Sequence, residues 1–119
     1  MDRDIEIVSL LVGIKAIDHY LNKETPSIFD NYFENIAYSV EMEIGEINKR
    51  KRVKVKPVWR KNARVNTFDI ANLIYEGMRK VNCDNNVIDD VIHRTGKVNR
   101  STLEECSKRM LAMLEEVTQ

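Results

Sequence analysis

The chain has 119 residues, 43% hydrophobic and 32% charged, with only four glycines and two prolines, which excludes a disordered or linker-rich polypeptide. Its longest strongly apolar stretch, Ile7 to Ile14, contains Ser9 and ends at Lys15, far short of the ~20 residues of a membrane-spanning helix. Nineteen Lys and Arg balance nineteen Asp and Glu, but residues 1–46 hold ten acids against three bases, residues 65–119 nine against seven, and residues 49–64 nine bases with no acid.

The first predicted helix runs from about Asp4 to Asn22, with Ile7, Leu10, Ile14, Ile17 and Leu21 at helical spacing. Ile5, Val8, Val12 and Tyr20 widen that stripe and predict burial on more than one side. Thr25-Pro26 reads as an N-cap followed by a first-turn proline. The second helix is expected to continue to about Asn48, with Phe29, Phe33, Ile36, Val40, Ile44 and Ile47 on one face and Asp30, Glu34, Glu41, Glu43 and Glu46 largely off it. Residues 1–48 therefore read as an acidic helical hairpin.

The next segment breaks the helical period. Val53-Lys54-Val55-Lys56 alternates and Pro57 forbids a helix, so residues 52–59 are expected to form an extended arm or a short edge strand. A third helix starts at Asn66, with Asp69 in its first turn and Phe68, Ala71, Ile74, Tyr75, Met78 and Val81 periodic. Cys83 to Asn86 is a turn; a fourth helix, Val87 to Arg94, stops at Thr95-Gly96, where glycine suits a left-handed cap. Ser101-Thr102-Leu103-Glu104 has capping-box spacing and opens a fifth helix with Leu103, Cys106, Met110, Met113 and Val117 inward. The fold class that follows is all-α: a single five-helix domain over 1–119, with a basic arm at 49–64 and a three-helix part at 65–119. The surplus of aliphatic residues in the first helix suggests a homodimer through helices 1 and 2.

The function these residues suggest is phosphate recognition. Lys49, Arg50, Lys51, Arg52, Lys54, Lys56, Arg60, Lys61 and Arg64 are nine of the nineteen bases, and long cationic side chains on an extended backbone can reach successive phosphates. Trp59 lies among them and could stack on an exposed base. Two plainer readings compete: the acidic helices neutralise the tract within the fold, and the lone tryptophan fills the core.

The run from Val87 to Leu103 resembles a helix-turn-helix, with a short helix ending near Gly96 and Ser101-Thr102 opening the next. That resemblance implies readers at Lys97, Asn99, Arg100, Ser101 and Thr102. The turn is one residue longer than the tight form, and Glu104-Glu105 sets two acids near the DNA-facing end. A looser resemblance links Arg64-Val65-Asn66-Thr67-Phe68-Asp69-Ile70 to the last loop and third helix of histone-fold proteins, interrupted here by the extra bases.

Signs of catalysis are sparse. His19 and His93 are the only histidines; Asp89, Asp90 and His93 lie within one helical turn, a spacing that an ordinary polar helix face also gives. Cys83, His93 and Cys106 are too widely spaced for a usual zinc motif, and no phosphate loop or nucleophile elbow occurs. The acidic start lacks the order of a secretory signal, so Cys83 and Cys106 read as reduced thiols of a cytoplasmic protein. The expectation is a non-enzymatic nucleic-acid binder, regulatory or architectural, with DNA ahead of RNA and with no cofactor, metal, small-molecule substrate or membrane. The alternatives are a protein-binding adaptor or inhibitor, or an assembly subunit whose arm docks on an acidic protein surface.

Overall fold

A helix that is apolar on every side has to be covered on every side, and the rest of the chain is arranged to do this. The computed structural model describes residues 2–22, 30–51, 54–57, 59–61 and 64–119. In chain order they form α1 (Asp2–Leu21), α2 (Tyr32–Lys51), β1 (Arg60–Lys61), β2 (Arg64–Val65), α3 (Thr67–Arg79), α4 (Asn85–His93) and α5 (Arg100–Val117). α1 packs against all four other helices, most extensively α3, then α5 and α2. Ile7, Val8, Leu10, Leu11, Val12, Ile14, Ala16 and Ile17 are all buried in one continuous core. The all-α, five-helix fold class holds; the paired strands β1 and β2 lie after the 52–59 stretch expected to be extended, of which the described residues 54–57 and 59 form no strand.

α1 and α3 approach backbone to backbone. A Cβ built on Gly77 would stand 2.7 Å from the Ser9 carbonyl carbon and nearer still to its oxygen, so glycine alone lets the two backbones meet. Ser9 is fully buried at this crossing, and its hydroxyl is satisfied by the Glu6 carbonyl at 3.0 Å.

α1 and α5 run antiparallel, and each lends an arginine to the other's end. Arg3 Nε donates to the Val117 carbonyl at 3.2 Å, and Arg100 Nη1 to the Leu21 carbonyl at 3.1 Å. The last carbonyls of a helix have no partner within it, and a cation there also suits the helix dipole. At the other end of the fold, the Tyr32 hydroxyl lies 3.0 Å from the Ala16 carbonyl and 2.9 Å from that of Val91, joining α2 to α1 and α4. Arg94 stacks 4.5 Å over the Tyr32 ring and forms an ion pair with Asp30.

Several helix ends differ from expectation. α2 begins at Tyr32, with Asp30 and Asn31 non-helical and the Asn31 carbonyl accepting from Asn35 N at 2.8 Å. The anticipated cap at Thr25-Pro26, and Phe29, lie outside the described residues. α4 starts two residues earlier than the apolar pattern suggests, because Asp84 caps it by accepting from Asn86 N. Its left-handed C-cap is Arg94 (φ 53), not Gly96, which takes φ 71 further along the loop. α5 is capped by Asn99 rather than by a box at Ser101: its side-chain oxygen accepts from Thr102 N at 2.9 Å. Among the described residues, no helix is long and apolar enough to cross a membrane.

Two glycines on outer helices make opposite predictions. Gly77→Ala drives a methyl into α1 backbone that no rotamer change can relieve, and should cost about 3 kcal/mol or more in urea denaturation. Gly45 lies in α2 with open space around its missing Cβ, so Gly45→Ala should stabilise by about 0.5–1 kcal/mol. Equal effects at the two sites would contradict the packing described.

Candidate nucleic-acid interface

The basic tract is anchored to the fold at two points. Asn48, in the last turns of α2, brackets Val55 as a backbone strand would: Val55 N donates to Oδ1 and Nδ2 donates to the Val55 carbonyl, both at 2.9 Å. Val55 is buried, and its neighbours Lys54 and Lys56 are exposed. This is the alternation read from the sequence. Four residues on, Trp59 is fully buried, and its indole Nε1 donates to Glu41 Oε1 at 3.1 Å.

From Trp59 the chain enters a tight antiparallel hairpin, with Arg60 opposite Val65 and Lys61 opposite Arg64. Asn66 N donates to the Trp59 carbonyl at 2.9 Å and then caps α3. Directly opposed residues share a face of the ribbon, so Arg60 and Val65 lie on one face and Arg64 on the other. Arg60 turns to α2, where Nε and Nη2 meet the Glu41 carboxylate at 2.5 and 3.1 Å. This two-point contact raises the Arg60 pKa further.

The tract is thus partly matched with acids. Besides Arg60, Arg50 lies 3.7 Å from Glu43, and Lys51 donates to the Thr118 hydroxyl at 3.0 Å with Glu115 at 3.9 Å. Among the described residues, no ion pair involves Lys49, Lys54, Lys56 or Arg64, and all four are exposed. Arg52 lies outside the described residues, and Lys61 occupies β1.

Two expectations need correction. Trp59 is no stacking platform: the core claims its ring and Glu41 its N–H. The segment does not project as an arm either, because burying Val55 and Trp59 holds it against α2. Burying the Val55 and Trp59 side chains stabilises the docked segment by roughly 1.5–3 kcal/mol each, and the Asn48 and Glu41 hydrogen bonds add to it.

The second group of sequence-predicted residues has other duties. Asp90, on α4 and only 1% exposed, accepts from Tyr20 Oη (3.0 Å), Lys97 N (3.2 Å), Val98 N (3.2 Å) and the Thr95 hydroxyl. Tyr20 Oη in turn accepts from Gly96 N at 2.7 Å. The α4–α5 loop is therefore wound around one carboxylate. Burial alone would raise the Asp90 pKa, but these donors outweigh it and hold the carboxyl below its ordinary value.

Asn99 spends its side-chain oxygen on Ser101 Oγ, Thr102 N and Thr102 Oγ1. Arg100 spends its guanidinium on Glu104 at 2.8 Å and on the Leu21 carbonyl. Lys97 is exposed. In a helix-turn-helix the two helices pack together across their turn; here α4 packs on α3 and α1, while α5 packs mainly on α1. The two basic groups also lie at opposite ends of α5. Lys51 meets Thr118, just past its C-terminus, and Arg100 is its first residue, so ~25 Å of helix separates them.

Asp90, the Arg94–Asp30 pair and a 2.9 Å contact between His19 Nε2 and Ser39 Oγ were not foreseen from sequence. Of these, only Asp90 gave a hint, as an acid on the apolar face of α4. Asp90, Asp89 and His93 do not form a cation site, since Asp90 is consumed by the loop while the other two are exposed. Among the described residues there is no group of three or more candidate metal ligands. No family model, curated protein or solved structure matches the chain.

The depressed Asp90 value fixes a sign for pH dependence. Its stabilisation is fully present above the ordinary carboxylate pKa of about 4 and is lost as pH falls through the lower folded value. Asp90→Asn should therefore cost about 2 kcal/mol at pH 7, with the gap to the native chain shrinking in acid, well below the ordinary carboxylate value. Urea titrations at neutral pH and in acid measure this; a gap that widens in acid would contradict the assignment.

Proposed function

We propose that this chain is a small non-enzymatic nucleic-acid-binding protein, regulatory or architectural. It grips the phosphate backbone with Lys49, Lys54, Lys56 and Arg64, and DNA is its first candidate. The observation that carries this reading is the division within the basic tract. Arg50, Lys51 and Arg60 face acids of the chain itself, whereas these four are exposed and take part in no ion pair among the described residues. Exposed cations on an anchored segment lose little entropy when they meet phosphates, and each contact releases condensed counterions. Trp59, Asn99 and Arg100 take no part, which makes the recognition one of charge rather than of base sequence.

Four phosphate contacts predict a log–log salt slope of roughly −3.6 on duplex DNA and roughly −2.8 on a single strand. Fluorescence anisotropy with short duplexes and single strands at two salt concentrations measures it. Replacing Lys49, Lys54, Lys56 and Arg64 together by alanine should abolish binding at low salt, while Lys97→Ala leaves it unchanged. Negligible binding by the native chain at low salt would refute the reading.

A second reading has one observation of its own. Tyr38 and Met42 lie one turn apart on α2 and are 62% and 63% exposed. Such a pair suits an adaptor or assembly subunit that docks on another protein, a second copy included. The dimer first suggested by the apolar surplus of α1 has lost that ground, since α1 is covered within the chain. Sedimentation velocity separates the readings: Tyr38→Ala with Met42→Ala would dissolve an assembly and leave nucleic-acid affinity intact.

A further inference from the structure

The chain's two cysteines, far apart in sequence, meet in the fold. Cys83 follows Asn82, which takes φ 59, in the turn between α3 and α4; Cys106 lies in the second turn of α5. Both sulfurs lie 3.7 Å from the same nitrogen, Arg109 Nη2, which sets them side by side. Both residues are buried, at 2% and 3% exposure, and both are free thiols. Yet Cys106 and Arg109 also line a cleft of about 370 Å³, together with Ser101, Thr102 and Glu105. Of the two cysteines, Cys106 lines the cleft and Cys83 does not, and a single guanidinium contacts both sulfurs.

We propose that Cys83 and Cys106 are a redox modification site that takes a small hydroperoxide and closes an intramolecular disulfide. The Arg109 guanidinium stands 3.7 Å from the Cys106 sulfur, which reacts as its thiolate. That thiolate attacks one peroxide oxygen; the O–O bond breaks and the departing hydroxide takes up a proton as water, leaving Cys106 as a sulfenic acid. Cys83 sulfur then attacks the sulfenic sulfur. The S–S bond forms, the S–O bond breaks, and the hydroxyl leaves with the Cys83 proton as a second water. Two thiols give up two electrons and the peroxide accepts them. Burial pushes the Cys83 thiol up to about 12, with Cys106 adding to the rise, which suits a resolving thiol rather than the attacking one. The bond would tie the α3–α4 turn to α5 and close a loop containing all of α4.

The test uses the whole chain and hydrogen peroxide in slight excess. The expected product is a monomer lighter by two hydrogens. Digestion without reductant should yield a peptide joining Cys83 to Cys106, and dithiothreitol should restore both thiols. The oxidised chain should melt about 10 °C higher. Cys83→Ser should leave a sulfenic acid at Cys106 that dimedone traps. Arg109→Gln, with helicity checked by circular dichroism, should slow disulfide formation about tenfold. Overturning results are two thiols that remain alkylatable after peroxide treatment, a cross-link only between chains, or an Arg109→Gln rate equal to the native one. The native-chain peptide map decides the matter even where a variant folds poorly.

Discussion

No face of α1 is left for water over most of its length, and this constraint shapes the molecule. Its aliphatic residues bring α2, α3 and α5 around it, and Gly77 lets α3 approach until backbone meets backbone at Ser9. Burying that much apolar surface supplies the dominant stabilising term, while the reciprocal arginines Arg3 and Arg100 satisfy helix ends that would otherwise be left open. The three outer helices can then afford polar outer faces. Acids on α2 and cations after it lie on the outside because the inside belongs to α1.

That arrangement explains how a tract of nine bases and no acid exists in a small domain without tearing it open. Apolar residues are placed at Val55 and Trp59, and each is held by a polar side chain of α2, Asn48 for the backbone and Glu41 for the indole. Glu41 also binds Arg60, so one carboxylate fixes both the ring and the direction of the hairpin. The cost of crowding positive charge falls because Arg50, Lys51 and Arg60 meet acids, and Lys49, Lys54, Lys56 and Arg64 extend into high-dielectric water. Segregation within the tract is the physical basis of the functional reading. The thiol pair lies elsewhere, between the α3–α4 turn and α5, and is independent of it.

The helices were legible because periodicity is a local signal. The buried stripe of α1, the alternation at Lys54-Val55-Lys56 and the start of α3 beside Asn66 all follow from spacing and side-chain chemistry. What sequence could not decide was competition between partners. Ser101 and Asn99 are both good caps, and Asn99 wins because Asp90 fixes the preceding loop by binding Lys97 N and Val98 N. Trp59 suits a base stack or a core equally well until Glu41 is known to lie beside it. The helix-turn-helix resemblance makes Arg100 a reader, but α5 lies against α1 and sets it beside the Leu21 carbonyl. Long-range pairings of this kind leave no spacing in the chain, and the meeting of Cys83 with Cys106 is another.

The claim at the centre of this account is that phosphates meet the outward cations of the tract and leave its anchors undisturbed. Mapping amide and indole shifts by heteronuclear NMR, while a short DNA duplex is titrated at low salt, tests it most directly. The account predicts shifts at Lys49, Lys54, Lys56 and Arg64, with the Trp59 indole and the loop around Asp90 unmoved. Shifts centred on residues 97–102, or a Trp59 indole that moves with the ligand, would contradict it.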